Sequence, residues 1–259
     1  SSGGSNGAGM TGDDNTFIGH QAGFNTTSGN LNSALGNYAL NTNTTGSINM
    51  AIGTNALFSN TEGGSNTAVG YATLNANTTG NNNVAIGRIA LLANTTASDN
   101  TAIGYGSLQA NTTGTRLVAI GRDAGNATVS VNDTTSIGYN ALLLATGVGN
   151  TALGSTAGNA LTVGTSNTFL GFNSDTSSTT LYNATAIGAN SVVGANNSLI
   201  LGGTGANAVK VGVGTTSPRV LVTISSAATT TMQLDSSVDT RGSCIVSKDM
   251  SGGTYTYIT

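Results

Sequence analysis

The side chains that most often carry covalent or acid–base chemistry are nearly missing from this sequence, which has 1 His (His20) and 1 Cys (Cys244). A nucleophilic serine or thiol needs a positioned base beside it, and neither residue has an aligned partner nearby in sequence. His20 stands at a position that recurs along the chain as Asn37, Thr54, Tyr71, Arg88, Tyr105 and Tyr139, so it reads as a surface variant. Cys244 reads as a buried thiol or as a disulfide partner, to another chain or to sequence beyond Thr259. Asp13 and Asp14 offer oxygen ligands, but neither the calcium-loop spacing nor the Gly-Gly-x-Gly-x-Asp nonapeptide is present, which favours a solvated turn. No Gly-x-x-x-x-Gly-Lys-Ser/Thr phosphate loop occurs among the 38 glycines. The expectation is a non-enzyme with no cofactor and no metal. Triplets such as Asn43-Thr44-Thr45 and Asn77-Thr78-Thr79 match the glycosylation acceptor pattern, yet their recurrence is explained by turn chemistry, since Asn tolerates left-handed backbone and Thr bonds locally. Tyr71, Tyr105 and Tyr139 are the stacked aromatics best placed to meet a surface, matrix or glycan.

What positions these residues is an internal repeat. A small residue, an aliphatic one and glycine recur at Phe17-Ile18-Gly19, Ala34-Leu35-Gly36, Ala51-Ile52-Gly53, Ala68-Val69-Gly70, Ala85-Ile86-Gly87, Ala102-Ile103-Gly104, Ala119-Ile120-Gly121, Ser136-Ile137-Gly138, Ala152-Leu153-Gly154, Phe169-Leu170-Gly171 and Ala186-Ile187-Gly188. The glycines lie 17 apart, with one spacing of 16 between Gly138 and Gly154, and a degenerate copy, Ile200-Leu201-Gly202, follows at 14. Four residues before the glycine stands an asparagine column of Asn15, Asn32, Asn49, Asn66, Asn83, Asn100, Asn150 and Asn167, interrupted by Leu117, Thr134 and Ala184. A column of small residues, often followed by Leu as in Leu40, Leu57, Leu74 and Leu91, lies three residues after it.

A fixed period of this length is the signature of a solenoid. Each unit holds two short candidate strands separated by Gly and closed by an Asn/Thr/Gly turn, and helix is disfavoured by Gly, Asn and β-branched residues throughout. The fold class is therefore all-β: a parallel β-solenoid or β-roll of about 11 to 12 coils, on the order of 55 Å long at the usual strand spacing. Stacking lines Ile18, Leu35, Ile52, Val69, Ile86, Ile103, Ile120, Ile137, Leu153, Leu170 and Ile187 into one ridge, assigned here as the structural core column. The asparagines form amide ladders, each side chain bonded to the copies above and below.

Stacking also explains a charged fraction of only 7%, against about a quarter in ordinary domains, because like charges would lie one above the other about 5 Å apart. A net charge of -3 gives no footprint for nucleic acid. No window approaches the roughly 18 apolar residues of a membrane span. The start, Ser1-Ser2-Gly3-Gly4, fits a processed or trimmed chain. Two other solenoid classes fit the columns less well. A left-handed β-helix acyltransferase needs three hexapeptides per coil, but steps of six and twelve from Ile103 reach Gln109 and Thr115, and from Ile86 reach Leu92 and Ser98. An ice-binding face would use Thr16, Thr67, Thr101, Thr135, Thr151, Thr168 and Thr185, but Met50, Val84 and Val118 interrupt that column.

The unit Asn-Thr-Ala-Ile-Gly-x-x-Ala-Leu resembles the YadA-like head repeat of trimeric autotransporter adhesins, Ser-Val-Ala-Ile-Gly-x-x-Ser/Ala, and similar units of phage and viral tail-fibre shafts. The matching residues run from Asn15 to about Ser191. The resemblance implies a left-handed parallel β-roll, three chains about a common axis, and an extracellular, cell-surface or virion location serving attachment. This repeat is longer than the adhesin unit by an added Asn-Thr-Thr-Gly loop. After the repeats, Val209, Val211 and Val213 alternate, Gly214-Thr215-Thr216-Ser217-Pro218 makes a turn, and Val220, Val222 and Ile224 alternate again, which reads as a hairpin and resembles the connector found after such repeats in fibre proteins.

The expected organisation is an N-terminal flexible or assembly segment (1–14), a solenoid shaft (15–205) and a β-rich C-terminal connector or assembly region (206–259). The expected function is that of a structural extracellular fibre: a self-assembling surface filament or adhesin shaft, or alternatively a phage or viral tail-fibre receptor-binding shaft, with an ice-binding solenoid as the further alternative. Its main partner is itself, as a homotrimer or end-to-end filament, with a cell surface, matrix or glycan as a further partner and no nucleic acid or membrane span.

Overall fold

Each unit supplies one strand of three residues, with a small or aromatic residue at its centre in all but the last, and in the computed structural model these strands stack. The structure describes residues 10–203, residue 209 and four short strands beyond it. Strands β1 (Thr16–Ile18), β2 (Ser33–Leu35), β3 (Met50–Ile52), β4 (Thr67–Val69), β5 (Val84–Ile86), β6 (Thr101–Ile103), β7 (Val118–Ile120), β8 (Thr135–Ile137), β9 (Thr151–Leu153), β10 (Thr168–Leu170), β12 (Thr185–Ile187) and β14 (Leu199–Leu201) form one 12-stranded sheet in that order. Every pair is parallel. The molecule is thus an all-β parallel β-solenoid, with β11 (Asp175–Thr176) and β13 (Val192–Val193) making a second small parallel sheet near its C-terminal coils. Register survives the irregular spacings: Thr135 still opposes Thr151, and Thr185 opposes Leu199. The missing residues are absorbed outside the strands.

Hydrogen bonding between coils continues around the rest of each turn. The Tyr38 N–H donates to the His20 carbonyl and Ile48 to Asn30, on the preceding coil, while Leu40 donates to Ala56 and Thr42 to Phe58, on the following one, so each coil is bonded to both its neighbours. That answers the question of where backbone polar groups go in a coil with so little regular strand.

The interior corrects the assignment of the core column. Ala34, Ala51, Ala68, Ala85, Ala102 and Ala119 are buried at the strand centres, facing Leu40, Leu57, Leu74, Leu91 and Leu108 from the opposite wall. Ile18, Leu35, Ile86, Ile120, Leu153 and Leu170 are exposed instead, Ile18 at 50%, while Ile52, Val69, Ile103, Ile137 and Ile187 are half-buried. Side chains alternate across a strand, so an inward Ala sends both its neighbours outward. The walls are close enough that a methyl opposite a leucine fills the gap.

Where the centre is not small, the opposite wall makes room. Phe169 is the largest fully buried side chain, and Gly158 stands where other coils carry Leu. A Cβ on Gly158 would lie 2.8 Å from the Phe169 ring and 2.7 Å from Leu142 Cδ2. Phe17 and Gly23 repeat the exchange at the other end of the stack. Phe169→Ala is expected to cost about 3 kcal/mol by leaving a cavity, and adding Gly158→Leu is expected to recover at least half of it. Denaturant melts of the single and double variants check this; a double variant no better than the Phe169→Ala chain would disprove the pairing.

Residues 210–259 form a separate unit. Here β15 (Val211–Val213) pairs with β16 (Val222–Ile224) in parallel, Val211 opposite Val222, which corrects the expected hairpin. A tight turn imposes antiparallel pairing, so these two parallel strands are not the arms of a hairpin. Strands β17 (Ile245–Lys248) and β18 (Tyr255–Ile258) are antiparallel. Cys244 lies outside the described residues.

Candidate functional site

The residues that carry interactions in this chain are columns, and each column is positioned by the coil beneath it. The first is the asparagine column. The Asn49 side-chain amide donates to Asn32 Oδ1 at 3.1 Å and to the Gly63 carbonyl at 2.8 Å, while Asn32 Oδ1 also accepts the Asn49 backbone N–H at 2.9 Å. Asn32, Asn66 and Asn167 repeat the arrangement, and Asn83 does so against the Ala97 carbonyl. Asn15 begins the run by donating to the Gly29 carbonyl, and Asn100 and Asn150 donate to the Gly114 and Gly164 carbonyls. Where the column is interrupted, the Leu117 and Ala184 N–H groups still donate to Asn100 and Asn167 Oδ1.

A second ladder went unread in the sequence because its members look like turn residues. Asn43, Asn60, Asn77, Asn94 and Asn111 are fully buried. The Asn60, Asn77, Asn94 and Asn111 amides donate to the Oδ1 of the preceding copy at 2.7–3.1 Å. Each member also donates to the carbonyl three residues on, so Gly46, Gly63, Gly80, Ala97 and Gly114 each receive two amides, one per ladder. The 17-residue spacing of Asn43, Asn60 and Asn77 was the available signal. In the folded chain Asn43, Asn77 and Asn111 are enclosed and their side-chain nitrogens are bonded, so a glycan on any of them is incompatible with this ladder.

Outside the core two surfaces stand out. One is the aliphatic column already described, which shares its sheet face with Thr16, Ser33, Met50, Thr67, Val84, Thr101, Val118, Thr135, Thr151, Thr168 and Thr185. A shallow recess opens there, lined by Thr16, Ile18, Ser33, Ala34, Leu35, Met50 and Ile52. The other is the column just past the glycine bend, where Tyr71, Tyr105 and Tyr139 are exposed and alternate with Arg88 and Arg122. His20 lies in this column too, 3.2 Å from Asn37 Oδ1 and edge-on to Tyr38.

Ionic features are few. Arg116 grips Asp133 through both oxygens, at 2.6 and 2.9 Å, and this hydrogen bonding holds the Asp133 carboxyl below its ordinary range. Asp175 goes the other way: burial raises it, opposed by N–H bonds from Thr176 and Ala160. Among the described residues, no three His, Cys, Asp or Glu side chains gather as a metal site would need, and no helix is long and apolar enough to cross a membrane. Asp13 and Asp14 are both exposed. No protein-family model, curated protein or solved structure matches this chain.

Proposed function

We propose that the chain is a non-enzymatic structural protein, the shaft of an extracellular fibre or adhesin, and that copies of it associate through the outward face of the twelve-stranded sheet. The observation that carries this reading is the aliphatic column. It runs unbroken from Ile18 to Leu201 at one side chain per coil, exposed or half-buried throughout. A soluble single chain seldom leaves so long an apolar stripe to water. The surface that matches it is one with an aliphatic side chain every coil rise, and a second copy of this chain supplies that. The YadA-like resemblance of Asn15 to Ser191 supports the same arrangement, with three copies about an axis, outside the cell or on a virion.

Light scattering with negative-stain microscopy tests it. The expected particle is a discrete multimer, about 76 kDa for a closed trimer of 25.4 kDa chains, or a regular filament. The triple variant Ile86→Glu, Ile103→Lys, Ile120→Glu places alternating charges on the face, so the coils attract one another while the interface must bury ions. Self-association is expected to weaken by about a hundredfold or more with circular dichroism unchanged. A wild-type particle of 25.4 kDa would sink the reading and move attention to the threonines beside the aliphatic column, for which an ice-growth assay is the next measurement.

A further inference from the structure

Tyr71, Arg88, Tyr105, Arg122 and Tyr139 occupy one column on five successive coils, and all five are exposed. The Arg88 Cζ lies 5.6 Å from the ring centres of both Tyr71 and Tyr105, and the Arg122 Cζ lies 5.5 Å from Tyr105 and 5.9 Å from Tyr139. Each guanidinium is therefore sandwiched between two rings, an attraction of charge for the ring quadrupole. The alternation also solves the difficulty that keeps charge out of the other columns, because it sets the two cations two coils apart, about 10 Å. Of the cations in residues 1–209, Arg116 is held by Asp133, and Arg122 Nε donates to Asp123 at 3.1 Å. Arg88 has no ion pair among the described residues, and Arg122 keeps its terminal nitrogens. Placed over the rings but not hydrogen-bonded to them, the guanidiniums keep N–H groups for paired hydrogen bonds to a carboxylate or sulfate.

The geometry points to this column as a binding stripe for a linear acidic polysaccharide in which charged and neutral sugars alternate. Charge spacing carries the choice. Nucleic acid bears a charge about every 3.4 Å along each strand, far denser than two guanidiniums on alternate coils. An extended pyranose chain advances by close to one coil rise per ring, so acidic rings fall opposite Arg88 and Arg122 while neutral rings fall opposite tyrosines. Each phenol hydroxyl both donates and accepts, as a sugar hydroxyl requires. The stripe lies past the glycine bend from the aliphatic column, so this inference goes beyond self-association and does not depend on it.

The test is binding of hyaluronan, with carboxyl-reduced hyaluronan and oligodeoxythymidylate as comparisons, to the full chain and to its variants. Hyaluronan is expected to bind, more weakly as salt rises, with each of Arg88→Gln and Arg122→Gln lowering affinity about tenfold or more. The reduced polymer and the oligonucleotide are expected to bind at least tenfold more weakly. Hyaluronan binding that persists in the chain carrying the three face substitutions supports the stripe separately from self-association. Absence of hyaluronan binding at low salt, equal binding of the reduced polymer, or unchanged binding by the double Arg→Gln variant with native circular dichroism overturns it.

Discussion

Gly104→Ala is expected to destabilise the solenoid by roughly 5 kcal/mol, from an Ala-incompatible backbone and an overlap with the next coil. Gly104 sits at φ +131°, and a Cβ there would lie 2.5 Å from the Gly121 carbonyl oxygen and 2.6 Å from its carbon. Both are backbone atoms, so no rotamer change relieves the contact. Moving the coils apart would strain the bonds from Gly104 N–H to the Ile86 carbonyl and from Gly121 N–H to the Ile103 carbonyl, at 2.8 and 2.7 Å. Because each coil is held by its neighbours alone, the damage should appear as a central region of fast amide exchange flanked by protected coils. Hydrogen exchange resolved by segment checks this. Uniform protection with an unchanged melting midpoint would show that the bend is less constrained than its geometry indicates.

Asn83→Asp is expected to cost about 4 kcal/mol near neutral pH, the range for an uncompensated buried charge, and little in acid. Asn83 is fully buried; its amide nitrogen faces Asn66 Oδ1 and the Ala97 carbonyl, and its Oδ1 receives the Asn100 N–H. A carboxylate still accepts from Asn100, but it turns its second oxygen toward two acceptors. A protonated acid donates to one of them and closely imitates the amide. Burial thus raises the folded-state pKa of the new acid above the unfolded value of about 3.9. The folded state then binds the proton more tightly, so the penalty is absent below about pH 3.9 and grows as pH rises through that value and up to the folded pKa. Denaturant midpoints of variant and parent across this window are the measurement, and a difference independent of pH would refute the assignment.

The period, the first strand of each unit and the parallel stacking were legible because the same residue types return at the same offset, whereas the second candidate strand of most units, as at residues 39–42, is turn. Thr67-Ala68-Val69 and Thr101-Ala102-Ile103 can only be copies of one local structure. Which face is buried was not legible from hydrophobicity, which pulls Ile103 inward. The better signal was constancy of size: Ala51, Ala68, Ala85, Ala102 and Ala119 do not vary, whereas Met50, Thr67 and Val84 vary freely on the outward side. A position that holds Ala on most coils, and takes Phe only where Gly23 or Gly158 makes room, is walled in, and one that accepts Met, Thr or Val has solvent or an accommodating partner before it. The coupling of Phe169 to Gly158 belongs to the same logic of volume. The burial of Asn43 and Asn77 is hidden in the sequence because asparagine is at home in exposed turns as well as buried ladders, and sequence alone does not say which side of a turn faces the core. The tyrosine column was visible, but its interleaved arginines gained meaning only once adjacent coils were seen to place Arg88 between two rings.

Thr135 opposes Thr151 as squarely as Thr101 opposes Val118, although the first pair is 16 residues apart and the second 17. Since each coil interface repeats the one before it, cutting the chain at two equivalent positions and rejoining it leaves only interfaces of a kind already present. Unequal recombination within the coding sequence therefore has a structural outcome fixed in advance: the array lengthens or shortens by a whole coil, about 4.8 Å, without asking any other residue to change. Reach becomes a heritable quantity that varies in steps, and a lineage can adjust it as a ruler is extended, one division at a time.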